Sequence, residues 1–181
     1  MSNLNKTRVI ARAAARRNFA QGFTLIEVMI SVFVLSVGIL GMAGMQAVSV
    51  RETVNTTFRI QADMLAADMA DRLRANRAAA TNATSTSYES DGSALGSPSS
   101  CIGPTANCNE ADLASHDISN WQTHIGNSNL PMGVGTITRA AGTSEYTILV
   151  FWDEDRDGAV TTATSCNAAS GDGCIRLVVE I

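Results

Sequence analysis

The order of apolar and polar positions divides the chain into segments with different solvents. From Val28 to Val50 there are 23 consecutive residues without a charge, VMISVFVLSVGILGMAGMQAVSV. Wound as an α-helix this run is about 34 Å long, enough to cross a bilayer core of about 30 Å. Beyond Val50 the helical period continues but becomes one-sided. Val54, Phe58, Ala62, Leu65, Met69 and Leu73 fall within a stripe of about 100°, with Arg59, Asp63, Asp71, Arg74 and Arg77 outside it. Asp68 and Arg72 stand in the favourable acid-first order on adjacent turns. The pattern predicts one continuous helix from about Thr24 to Asn76, its second half packing on a globular head.

Residues 78–100, AAATNATSTSYESDGSALGSPSS, have the composition of a loop, with too few apolar anchors for a packed element. Pattern returns at Glu110, where Ala114, Ile118, Trp121 and Ile125 share one face of a second helix that Leu130-Pro131 should stop. Three strand signals follow, at 134–139, 146–152 and 174–181, with a turn at Ala141–Ser144 between the first two. In the last strand Ile175, Leu177, Val179 and Ile181 should face inward, Arg176 and Glu180 outward. The expected fold class is α+β: a long N-terminal helix laid on a small antiparallel sheet, as a roll.

Charge sharpens this picture. The chain has 181 residues, 45% hydrophobic and 17% charged, which excludes a disordered, highly charged polymer. The net charge of −4 conceals an asymmetry: residues 1–22 carry five basic residues and no acid, so the rest is strongly acidic. An acidic body repels phosphate backbones, so nucleic acid is not an expected partner. Basic residues before the apolar run put the N-terminus in the cytoplasm and the head across the membrane. Three ordinary readings compete: a cleaved secretory signal with Ala47-Val48-Ser49 as its site, an Arg-rich transit peptide, or a plain single-pass anchor. The apolar run is longer than the roughly 7–15 residues of a secretory signal, and a transit peptide should not be followed at once by a span.

The junction separates them. The basic segment ends at Gln21-Gly22, and FTLIEVMI begins at Phe23. This resembles the class III signal of type IV pilins, which implies cutting after Gly22 by a prepilin peptidase and methylation of the new N-terminus at Phe23. The apolar helix would then stay on the mature chain. An acid inside such a helix costs on the order of 3 kcal/mol and is usually functional. For Glu27 one reading is a capping box with Thr24; the resemblance implies another, attraction to the Phe23 ammonium of a neighbouring subunit, which sets the axial register of a filament. The run SVGILGMAGMQ (36–46) resembles minor pilins of the PilV type, or type IV pilus modification proteins, more than major pilins. Gly38, Gly41 and Gly44 within it are either tolerated in lipid, a close-packing face, or a soft point for unwinding. DLASHDISNW, LPMGVG and the strand ending at Trp152 resemble heads of the same type.

Cys101, Cys108, Cys166 and Cys174 lack the short spacing of zinc or thiol-redox motifs, and a head outside the cytoplasm makes disulfides the expectation. Three pairings are open, with the local ones preferred; a Cys166–Cys174 bridge resembles the C-terminal disulfide loop of major pilins, although the additional pair departs from that pattern. Asp153, Asp155, Asp157 and Gly158 match the opening of a calcium loop, D-x-D-x-D-G, but Thr164 stands where the twelfth-position acid belongs. Calcium is therefore the one cofactor considered, against a solvated acidic turn. His116 and His124 lie on the second helix, and His116-Asp117 point apart, so no catalytic dyad is expected.

No nucleotide, hydrolase or metalloprotease motif occurs, so no enzyme is expected. The expected organisation is a leader at 1–22, a transmembrane or filament-core helix at 23–50, its amphipathic continuation at 51–77, and a periplasmic head at 78–181. The resemblance implies a minor pilin that enters or primes a type IV pilus, with twitching motility or adhesion downstream. Its partners would be other minor and major pilins, the prepilin peptidase, and the inner-membrane assembly platform. It would sit in the inner membrane first and in the pilus afterwards. The competing functions are a minor pseudopilin of type II secretion and a membrane-tethered periplasmic calcium-dependent binding module.

Overall fold

A computed structural model describes residues 22–82, 86–93, 101–103, 106–162, 164–166 and 171–181. The expected leader, apart from Gly22, and parts of the Ser/Thr-rich stretch lie outside these residues. The chain divides into two units, Met1–Gln46 and Ala47–Ile181.

Helix α1 is Leu25–Ala75, 51 residues long. In the first unit its apolar side chains are exposed, from Leu25 through Met45. In the second unit the amphipathic stripe is covered: Ala62, Ala66, Met69, Ala70 and Leu73 are buried, and Phe58 and Leu65 are half-buried against the same core. The helix breaks at Asn76, whose backbone leaves the helical region (φ −103°, ψ 54°), and a short α2, Arg77–Thr81, follows. The Asn76 side chain is buried and donates from Nδ2 to the carbonyl of Glu110 at 2.8 Å. The break is thus fastened to the start of α3, Glu110–Gly126.

Helix α3 begins with a capping box. The Asn109 side chain accepts from the N–H groups of Ala111 and Asp112, and Asp112 returns to the Asn109 N–H. Its apolar face is Ala114, Ile118, Trp121 and Ile125, all buried, and Trp121 Nε1 donates to the Leu65 carbonyl of α1 at 2.8 Å. The helix ends at Gly126, ahead of Leu130-Pro131. Ser128 closes it instead, with its Oγ donating to the Ile125 carbonyl at 2.6 Å.

Three antiparallel strands follow in the order β1 (Val134–Arg139), β2 (Glu145–Trp152), β3 (Gly173–Glu180). Their register aligns Ile137, Ile148 and Leu177 on one face, with Tyr146, Val150, Trp152, Ile175 and Val179 beside them. This face, α1 and α3 enclose the core. Two glycines permit it: a side chain at Gly135 would strike Trp121, and one at Gly173 would strike Trp152. On β2 the opposite face is also covered, with Leu149 and Phe151 buried. That explains why 148–152 reads as an unbroken apolar run rather than an alternating one.

One expectation fails. The stretch after residue 78 is not all unpacked loop. Ala79 and Ala80 are buried in α2, Tyr88 is 1% exposed, and Ser90 pairs with Ile137 as a β-bridge at the outer edge of β1. A single aromatic residue with a good partner anchors this segment, which a count of polar residues does not register.

Candidate functional site

The residues singled out by the sequence fall into three places. The first is the start of α1. Thr24 Oγ1 accepts from the Glu27 N–H at 3.3 Å, and the Thr24 carbonyl receives the same N–H at 3.1 Å. This is one half of the expected capping box. The return bond is missing, and the Glu27 carboxylate has no hydrogen-bond or ion-pair partner among the described residues. Its polar neighbours on the apolar helix are satisfied internally: Ser31 and Ser36 each donate to the carbonyl one turn back at 2.7 Å. Glu27 is therefore left as a charge that needs an external partner once water is removed. Gly22 and Phe23 precede the helix and are exposed. At Gly38, Gly41 and Gly44 the helix is unbroken and a side chain would meet nothing within 4 Å, so their flat side is unoccupied within the chain.

The second place is the turn after β2. Asp153 is buried at 4% exposure and accepts from the N–H groups of Asp157 at 3.2 Å and Gly158 at 3.0 Å. Asp155 Oδ1 also accepts from the Asp157 N–H, at 3.2 Å, and Asp157 Oδ1 from Ala159 at 2.9 Å. One ligand atom from each of Asp153, Asp155 and Asp157 lies within 4.8 Å of the others, a spacing a cation could bridge. The same carboxylates already cap the turn's own backbone. The cysteines form Cys101–Cys108 and Cys166–Cys174, with Cα atoms 5.7 and 5.5 Å apart. The second bridge ties the segment after the acidic turn to β3, and Thr161 N–H donates to Asp172 at 3.0 Å across that loop. No pairing joins the two loops to each other.

The third place is the head interior, where the expected Asp68–Arg72 pair belongs to a larger polar network that sequence reasoning missed. Arg72 pairs with Asp68 at 3.1 Å on its own helix and with Asp117 of α3 at 3.4 Å. Asp117 also accepts from the Tyr88 hydroxyl at 2.7 Å. Burial, and then the Asp117 hydrogen bond, push the Tyr88 phenol well above its ordinary value. The lone Tyr in a Ser/Thr-rich stretch was the available signal. His116 meets Asn120 at 2.8 Å instead of Asp117, and His124 is exposed, so neither takes part.

Residues 17–43 match the family model of the prokaryotic N-terminal methylation motif, and residues 44–119 match that of the type IV pilin Tt1218 (Tt1218-like). The two matches adjoin, covering α1, the residues from Arg17 that precede it and the first part of α3. Comparison with characterised proteins and with solved structures gave no match.

Proposed function

We propose that this chain, a type IV pilin, serves as a minor pilin whose work is assembly rather than catalysis. Prepilin peptidase cuts after Gly22 and Phe23 becomes the methylated N-terminus. The uncharged run holds the chain in the inner membrane until the assembly platform moves it into a filament beside other minor and major pilins. The observation that carries this reading is Glu27: a lone carboxylate in an apolar, exposed helix whose neighbouring hydroxyls are already bonded. Opposite charge from the Phe23 ammonium of an adjacent subunit satisfies it in one axial register, because a misplaced subunit leaves two charges unpaired in low dielectric. The minor, PilV-type assignment rests on the resemblance of residues 36–46 and of the head segments DLASHDISNW and LPMGVG.

Glu27→Ala tests the register role. The variant should be processed normally yet enter filaments at a small fraction of the wild-type amount; equal incorporation would remove the role. Pseudopilins of type II secretion carry the same kind of signal. Deleting the chain should therefore impair piliation while leaving secretion intact, and the reverse result would select the pseudopilin reading.

A further inference from the structure

Immediately beyond the uncharged run, α1 and the acidic turn enclose a groove of about 570 Å³, lined by Val50, Arg51, Val54, Asn55 and residues 154–156. Its lining carries two charges of each sign: Arg51 on α1, and Arg156 beside Glu154 and Asp155 on the turn. Arg156 adopts a left-handed backbone, φ 63°. The D-x-D-x-D-G segment holds it there, because Asp153 and Asp155 both clasp the Asp157 N–H on its far side. Glu154 is drawn towards Arg59 of α1 at 3.8 Å, which fastens the turn to the helix. The turn thus presents a cation between two acids, at the helical level where the apolar run ends.

We propose that this groove binds the headgroup of a zwitterionic phospholipid in the outer leaflet of the inner membrane, its phosphate on Arg51 and Arg156 and its primary ammonium by Glu154 and Asp155. The proposal rests on the membrane-anchored state of the preceding section. Val50 is the last residue of the run, so Arg51 lies where phosphates are. An anionic headgroup without a cation would meet Glu154, already held by Arg59 at 3.8 Å, and Asp155, which has no ion-pair partner among the described residues, whereas a phosphoethanolamine brings a cation to Asp155. Val50 flanks the side on which the acyl chains begin. Occupancy would hold the head at the membrane surface before assembly and end on extraction into a filament.

The test uses the full-length processed protein in mild detergent, incubated separately with phosphatidylethanolamine and phosphatidylglycerol, with retained lipid counted by native mass spectrometry. Phosphatidylethanolamine should be retained in preference, and combined Arg51→Gln and Arg156→Gly should reduce its affinity roughly thirtyfold. Glycine at 156 keeps the backbone angle while deleting the guanidinium. Unchanged retention in the double variant, or preference for phosphatidylglycerol, overturns the proposal. Competition by inorganic phosphate as effective as by the lipid also overturns it, because the ligand is then a free anion. So does a double variant that retains lipid but loses a partner pilin. Alkaline extraction of membranes separates this from the premise: a chain released by it is not membrane-spanning, whereas one that stays put but shows no lipid preference refutes the groove alone.

Discussion

Replacing Tyr88 tests whether the connection between the two helices is part of the folded head. Tyr88 is 1% exposed and its hydroxyl donates to Asp117 at 2.7 Å. Tyr88→Phe removes one hydrogen bond to a charged acceptor, worth about 1.5–3 kcal/mol; Asp117 keeps Arg72, so the cost should fall near the lower end. Tyr88→Ala adds loss of the ring and a cavity, bringing the total to about 3–5 kcal/mol, a large part of the roughly 5–15 kcal/mol typical of a domain. Both tryptophans, Trp121 and Trp152, are fully buried in the head, so their fluorescence during urea unfolding in mild detergent reports the head and not the apolar part of α1. With a slope of about 1–3 kcal/mol per molar urea, the Phe variant should shift the midpoint by about 1 M. The Ala variant should unfold with little or no urea. A Tyr88→Ala cost below about 0.5 kcal/mol, the range of ordinary surface changes, would refute the anchoring of residues 86–93.

Removing the Cys166–Cys174 bridge, which spans 8 residues of sequence, should cost about 2–3 kcal/mol by loop entropy, read from the same unfolding curves. Millimolar calcium should move the melting temperature by less than about 1 °C, because the Asp153 and Asp155 carboxylates already cap backbone N–H groups. A larger rise that Asp155→Ala abolishes would identify a calcium site. Burial and Asp117 raise the folded-state Tyr88 phenol above its unfolded value of 10.0, so its contribution is fully present below pH 10 and is lost as pH rises beyond. Stability measured from pH 8 upward should therefore begin to fall near pH 10. Tyr88→Phe should reduce that fall without removing it, since burial also raises Tyr146.

The parts that sequence made legible share one property: regular period over many residues. The α1 stripe, the four buried residues of α3 and the three strands all follow from spacing, because burying one face of a regular element forces apolar residues to recur. The signal at Gly22–Glu27 was legible for a different reason, being a charge where an apolar helix should have none. What sequence concealed depends on distant partners. Tyr88 reaches Asp117 across 29 residues and Arg72 reaches it across 45, and no local pattern announces either. The half-made capping box at Thr24 shows the converse, where a motif fits and the side chain nevertheless stays free. The acidic turn reads as a calcium loop because its carboxylates alternate, yet alternation serves equally to cap successive N–H groups around Arg156.

The central claim is that a basic leader is removed ahead of a retained apolar helix. The intact mass and N-terminal residue of the protein purified from membranes test it most directly. The account predicts a chain beginning at N-methylated Phe23 with the whole of α1 present. A chain beginning after Ser49, or one still beginning at Met1, would contradict it.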